Sequence, residues 1–104
     1  MEDKNSFKKL EDEKNCEMVT SVMKMLSHSG RLRLLCYLTT GPKKVGEIQD
    51  YCNLSQPHVS QFLSKMQLQG IVKSHKDGNF VLYSLEDKKI IKLIKFLQNN
   101  YCQK

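Results

Sequence analysis

The stretch Leu54-Ser55-Gln56-Pro57-His58-Val59-Ser60-Gln61-Phe62-Leu63-Ser64-Lys65-Met66-Gln67-Leu68-Gln69-Gly70 decides the fold. Ser55 is suited to cap a helix, because its hydroxyl accepts from backbone N–H groups that have no partner in the first turn. Pro57 is tolerated just inside that start, where its missing N–H is not needed. Val59, Leu63 and Met66 then recur at helical spacing and form one apolar stripe. Pro57, Gln61, Ser64 and Leu68 fall opposite, with His58, Ser60 and Lys65 on the flanks. Gly70 ends the run as a C-terminal cap. The stretch therefore predicts a helix that packs by one side and shows polar groups on the other. No acidic side chain occurs from Leu54 through Lys76.

Outward from it, a short helix is predicted over about Val45 to Tyr51, with Val45 and Ile48 inward and Asn53-Leu54 as the turn. On the other side, Ile71 to Lys76 and Phe80 to Leu85 alternate around Asp77-Gly78-Asn79, a strong hairpin signal. Upstream, Val19, Val22, Met23 and Leu26 mark a first helix whose pattern extends weakly back to Leu10 and Phe7. It is expected to fray, or to be partly disordered, over residues 1–17. Arg31 to Leu38 marks a second helix, with Ser29 available as N-cap and Gly41-Pro42 as its stop. The last helix runs from about Glu86 to Tyr101. Ile90, Ile94, Leu97 and Tyr101 lie at helical intervals, and Ile91, Leu93 and Phe96 widen the apolar surface. The expected fold is mostly α with a small β-hairpin: four helices, two strands and a closing fifth helix. That order is the layout of a winged helix-turn-helix. With 104 residues, one domain spanning 1–104 is expected.

Charge narrows the partners. Residues 1–17 hold four lysines against six acids, a net of −2, while the rest carries 13 basic against 5 acidic side chains, a net of +8. Such an excess suits either a solvated surface or a polyanion. The acidic start, Met1-Glu2-Asp3-Lys4-Asn5-Ser6, has no apolar run of the secretory kind, and no segment is long and apolar enough to span a bilayer. A cytoplasmic location without membrane contact is the expectation. There structural disulfides are disfavoured, so Cys16, Cys36, Cys52 and Cys102 suit switching better than stapling. No Cys-x-x-Cys, Gly-rich phosphate loop or paired carboxylates suggest an enzyme, and no cofactor is implied.

Double-stranded DNA fits the middle of the chain. A helix in the major groove needs one face for the scaffold and one with donors and acceptors for base edges. Gln56, His58, Ser60 and Gln61, beside the cap Ser55, supply that chemistry near the helix start. Ser64 and Lys65 are placed to reach phosphate, and Lys73, His75 and Lys76 put positive charge on the hairpin. The bland alternative is a winged helix used only to bind proteins.

The residues Leu54 to Leu63 followed by Gly70-Ile71-Val72 resemble the ArsR family of small dimeric bacterial repressors. Met25-Leu26-Ser27-His28 through Arg31-Leu32-Arg33-Leu34-Leu35 resembles the start of that domain, and Tyr83-Ser84-Leu85 its second wing strand. The resemblance covers roughly residues 19 to 102. It implies a homodimer built largely from the first and last helices, bound to an imperfect inverted-repeat operator and released by an effector. Family metal sites need thiols in the third helix, or Asp and His ligands along the last. Here the third helix, Val45-Gly46-Glu47-Ile48-Gln49-Asp50-Tyr51, has no thiol, and the last helix has no histidine. His28, His58 and His75 are scattered, so no metal site is expected.

Cys36 in the second helix and Cys102 after the last resemble the paired thiols of the family's sulfide- and persulfide-responsive branch, known as BigR and SqrR, with HlyU as a close relative. In that branch reactive sulfur species join the two thiols through a disulfide or polysulfide, and operator affinity falls. The resemblance thus implies redox sensing by Cys36 and Cys102, 66 residues apart in sequence. Cys36 also reads as a buried small hydrophobe. Cys52, beside the turn, reads as structural or incidental, and Cys16 as a residue near the dimer helix. A metal-responsive repressor with an atypical site, and an anti-silencing regulator of virulence genes, are the alternatives.

Overall fold

Asp12 breaks the N-terminal helix in two. Its carboxylate accepts from Lys14 N–H at 3.0 Å and Asn15 N–H at 3.3 Å, so a new helix starts behind it. The computed structural model describes the backbone of residues 4–102 and the side chains of residues 8–102. Its elements are α1 (Lys4–Glu11), α2 (Glu13–Leu26), α3 (Ser29–Leu38), α4 (Val45–Cys52), α5 (Gln56–Leu68), β1 (Val72–Asp77), β2 (Phe80–Leu85) and α6 (Lys88–Tyr101). The winged-helix order is as expected, with six helices in place of five because Asp12 acts as a cap within an acidic run. Residues 4–11, expected to fray, are helical. Met1–Asp3 and the side chain of Phe7 lie outside the described residues.

Two compact units divide between Leu32 and Arg33. In the first, Arg31 closes the end of α2: its Nε donates to Met25 O at 2.8 Å and Nη2 to Lys24 O at 3.1 Å. A cation there also answers the negative end of the helix. Ser29 is the first residue of α3 rather than its cap. His28 takes that role, its Nδ1 accepting from Gly30 N–H at 3.0 Å.

The second unit has its core in Leu34, Leu35, Leu38, Ile48, Val59, Leu63, Met66, Ile71, Val72, Ile90 and Ile94, all buried. α4 ends at Asn53, held in the left-handed region (φ 56°, ψ 51°), and Leu54 N–H donates back to Gln49 O at 3.1 Å. Asparagine is one of the few residues that visits that region readily. α5 ends in a Schellman motif. Gly70 (φ +76°) donates to Gln67 O at 3.1 Å and Ile71 to Met66 O at 2.9 Å, while Ile71 and Met66 are both buried.

That motif turns the chain straight into the hairpin, where Val72 faces Leu85, Ser74 faces Tyr83 and Asp77 faces Phe80. The turn is Gly78-Asn79 with φ +65° at Gly78 only, the pattern that matches strand twist when glycine comes first. The hairpin begins at Val72, one residue after the expected start, since Ile71 closes the Schellman turn; Glu86 N–H still donates to Ile71 O at 2.9 Å beyond the last strand pair. α6 starts at Lys88, two residues later than the apolar pattern alone suggests. Asp87 caps it through Lys89 N–H at 2.9 Å and Ile90 N–H at 3.4 Å. No helix among the described residues is long and apolar enough to cross a membrane.

Candidate nucleic-acid interface

The start of α5 is an ordered polar surface. Ser55 Oγ accepts from His58 N–H at 3.3 Å and lies 3.0 Å from His58 Nδ1, so the cap also aims the imidazole. His58 stacks at 14° on Phe62, centroids 6.1 Å apart. Gln56 Nε2 donates to Ser60 Oγ at 3.2 Å. The inner stripe of Val59, Leu63 and Met66 is buried. Ser55, Gln56, His58, Gln61, Ser64 and Lys65 are exposed, and Ser60 is half-buried under Gln56. An exposed glutamine or histidine here offers a donor and an acceptor together, the equipment for reading a base edge.

The hairpin stands beside that helix. Gln67 Nε2 donates to Ser74 Oγ at 3.1 Å, which joins the end of α5 to β1. Lys73, His75 and Lys76 are exposed on β1. On the other edge, Lys43 and Tyr83 exchange both backbone hydrogen bonds, at 2.9 and 2.8 Å, and form an isolated antiparallel bridge. The connector between α3 and α4 is thereby a one-residue third strand of the wing. Lys43 Nζ lies 4.7 Å from the Tyr37 ring centroid, and Tyr37 stacks on Tyr51 at 4.2 Å. Lys44 Nζ lies 3.8 Å from the Phe80 centroid.

The cysteines are all free thiols. Cys36 is half-buried in α3 and Cys102 is exposed at the end of α6. Burial pushes the Cys36 thiol up from its ordinary value, a hydrogen bond from the Gln98 side chain works the other way, and the charge of a neighbouring Cys102 thiolate adds to the rise. Ile90, Ile94 and Gln98 succeed one another every four residues along α6, and Cys102 is the extended residue that follows its last turn. Cys52 is buried in the core; burial raises its thiol, with Arg33 opposing and Cys36 adding. Cys16 is exposed on α2.

Comparison with known proteins converges on one family. The profile described as "Bacterial regulatory protein, arsR family" matches residues 28–74. The "HTH-type transcriptional regulator YgaV" of Escherichia coli (strain K12) is 33% identical over 89 residues, 85% of this chain and 90% of that protein. The chain belongs to the ArsR family. Reduced HlyU from Vibrio cholerae N16961 matches it with a TM-score of 0.81 at 32% identity, covering 90% of this chain and 99% of that one. The transcriptional repressor BigR from Xylella fastidiosa matches with a TM-score of 0.79 at 33% identity, covering 88% and 94%.

This ArsR-family chain is accordingly a DNA-binding transcriptional regulator and not an enzyme. Among the described residues no three His, Cys, Asp or Glu side chains gather as a metal site requires. Two polar groups escape a reading of the sequence. Gln98 is visible only as a polar interruption of the Ile90–Ile94 stripe. Lys44 is hidden because its partner Phe80 lies 36 residues away, across a contact no local pattern encodes.

Proposed function

We propose that this regulator is a homodimeric repressor that reads an imperfect inverted repeat and lets go when reactive sulfur species bridge Cys36 and Cys102. The base-reading role falls to Gln56, His58, Ser60 and Gln61, oriented from the Ser55 cap. Ser64 and Lys65 on α5, with Lys73, His75 and Lys76 on the wing, take phosphates. This division follows the chemistry: amides, hydroxyls and imidazoles discriminate edges, whereas ammonium groups hold the backbone.

The observation that carries the switch is that the Gln98 side chain of α6 reaches the half-buried Cys36 thiol of α3, while Cys102 follows the end of that same helix four residues later. The similarity to HlyU, for which a reduced form is named, and to BigR supports the same reading. The chemistry balances without a separate oxidant. A persulfide donor R–S–SH passes its outer sulfur to the exposed Cys102 and leaves as R–SH. Cys36 then attacks the inner sulfur of Cys102–S–SH, forming the Cys36–Cys102 disulfide and releasing hydrogen sulfide. If both thiols carry an extra sulfur, the same displacement gives a trisulfide and hydrogen sulfide.

The deciding experiment compares operator binding before and after glutathione persulfide, with mass spectrometry of the same samples. Release together with an intramolecular bridge is expected; release without a bridge refutes the mechanism. Because the relative HlyU of Vibrio cholerae is described as a "Transcriptional activator", anti-silencing is the second reading. It predicts that deleting the gene lowers expression of the target only while a competing DNA-binding silencer is present.

A further inference from the structure

We propose that Lys44 is a further DNA contact, its ammonium held over the Phe80 ring at the tip of the wing so that it meets a backbone phosphate. This rests on the DNA-binding role of the family and adds a residue to it.

The placement comes from the backbone. The bridge between Lys43 and Tyr83 fixes the connector as an extended strand on the edge of β2. Successive side chains of a strand point to opposite sides. Lys43 accordingly goes over Tyr37 while Lys44 goes over Phe80, at 4.7 and 3.8 Å from the ring centroids. Phe80 is the first residue after the Gly78-Asn79 turn, and the residue stays 53% exposed. Lys44 thus reaches the same end of the hairpin as Lys76, on the other face of the sheet, because Lys76 pairs with Val81 and Phe80 with Asp77.

The electrostatics single out the ammonium. Lys44 is also the N-cap position of α4, but that helix start is already answered by a carboxylate: Glu47 Oε1 accepts from Lys44 N–H at 2.9 Å. The helix end therefore has little attraction left for an anion, and the side chain supplies it. Phe80 binds the ammonium through the negative face of its ring. A ring face engages one side of the group and leaves N–H donors pointing away from it. A free lysine surrenders much rotamer freedom when it grips a phosphate. The ring has already restricted that freedom, so Lys44 binds with less loss. Asp77, in register with Phe80, is the one acid of the hairpin, and Glu47 and Asp50 line the depression beside the ring, so the Lys44 ammonium is the charge that offsets these carboxylates toward a phosphate.

The test measures binding of a fluorescein-labelled duplex of mixed sequence across a salt series, using the full chain. Lys44→Ala should make the slope of log K against log salt shallower by about 0.9, the value of one phosphate contact. Lys44→Arg should keep the wild-type slope, since a guanidinium also stacks on the ring. Phe80→Leu should weaken binding with the slope unchanged, and should weaken it no further once Lys44 is alanine. Thermal melting of each variant checks that the fold is kept. A wild-type slope in Lys44→Ala overturns the proposal. So does a further loss from Phe80→Leu in the Lys44→Ala background, because Phe80 then touches DNA itself. If the wild type shows no salt-dependent duplex binding, the DNA-binding reading fails as well, which separates the two failures.

Discussion

Lys43 and Tyr83 share a two-way backbone hydrogen bond, at 2.9 and 2.8 Å, that ties the connector before α4 to the outer strand of the wing. Tyr83 faces Ser74 across the hairpin, yet its own N–H and C=O point outward to Lys43. Without the bridge both would lie on an open sheet edge, where unpaired groups invite pairing with other chains. The wing is therefore held from two sides: Gln67 to Ser74 on one strand, Lys43 to Tyr83 on the other.

Lys43→Pro removes one donor from that bridge and should destabilise the protein by about 1–3 kcal/mol. Amide hydrogen exchange at Tyr83 should accelerate more than exchange at Ile48 or Leu63 in the core. Uniform acceleration at all three would mean that the bridge stabilises the whole unit rather than the wing.

Ser55→Ala should cost about 1 kcal/mol in urea unfolding, the usual penalty for a lost cap. It also releases His58 Nδ1 from its partner 3.0 Å away. Ser55→Asp should restore stability, because a carboxylate caps as well as a hydroxyl does. An alanine variant as stable as the wild type would show that Pro57 and the packing of Val59 define the helix start by themselves.

How much of this was legible in the sequence depends on the range of the interaction. The buried stripe of Val59, Leu63 and Met66, the Asn53-Leu54 turn and the Gly78-Asn79 hairpin follow from local rules, since a helix repeats every few residues and a two-residue turn admits few sequences. The Asp12 and Asp87 caps were equally local, but each lay inside a charged run, where one carboxylate does not stand out as a cap. His28 displaced Ser29 as cap because its Nδ1 accepts from Gly30 N–H, which lets the helix start one residue earlier. Lys44 over Phe80 and Gln98 beside Cys36 were not legible, as each joins segments distant in sequence through side-chain geometry alone. The exposed side of α5 was legible as polar, but not the Gln56–Ser60 bond that half-buries Ser60.

His58→Ala and Gln61→Ala should each relax discrimination between operator and mismatched sites by about 1–3 kcal/mol if they read bases. Lys76→Ala should instead weaken binding to every duplex and flatten its salt dependence. Competition titrations at two salt concentrations separate the two classes. Identical behaviour of all three variants would undo the division between helix and wing.

Under reducing conditions, sedimentation should report twice the chain mass. On α2, Met18 and Met23 are exposed, and on α6 Phe96 and Tyr101 are exposed. Apolar groups gathered on a helix face favour burial against a partner. Replacing Met18 and Met23 with glutamate, or Phe96 alone, should shift the mass toward a monomer. A wild-type monomer at micromolar concentration would remove the basis for a two-half-site operator.

The sulfur switch should require both Cys36 and Cys102, and its rate should rise with pH beyond the range of an ordinary thiol. The thiolate is the attacking form, and burial holds Cys36 protonated to higher pH. Gln98 opposes this by hydrogen-bonding the sulfur. Gln98→Leu should therefore move the alkylation profile of Cys36 to still higher pH and slow bridge formation at neutral pH, while leaving the exposed Cys102 as easily alkylated as before. Helices packed through leucine-sized side chains lie about 8–10 Å apart, and a direct disulfide tolerates Cα separations up to about 7 Å. An inserted sulfur adds about 2 Å of reach, judged from the S–S bond length, so a persulfide donor should close the bridge more readily than peroxide. Closure should draw α3 toward α6 and so change the orientation of the reading heads. After glutathione persulfide, the wild type should show an intramolecular bridge and lose operator affinity. Cys36→Ser and Cys102→Ser should do neither, and Cys52→Ala should behave as the wild type. Release of DNA by either serine variant would transfer the switch to Cys16 or Cys52.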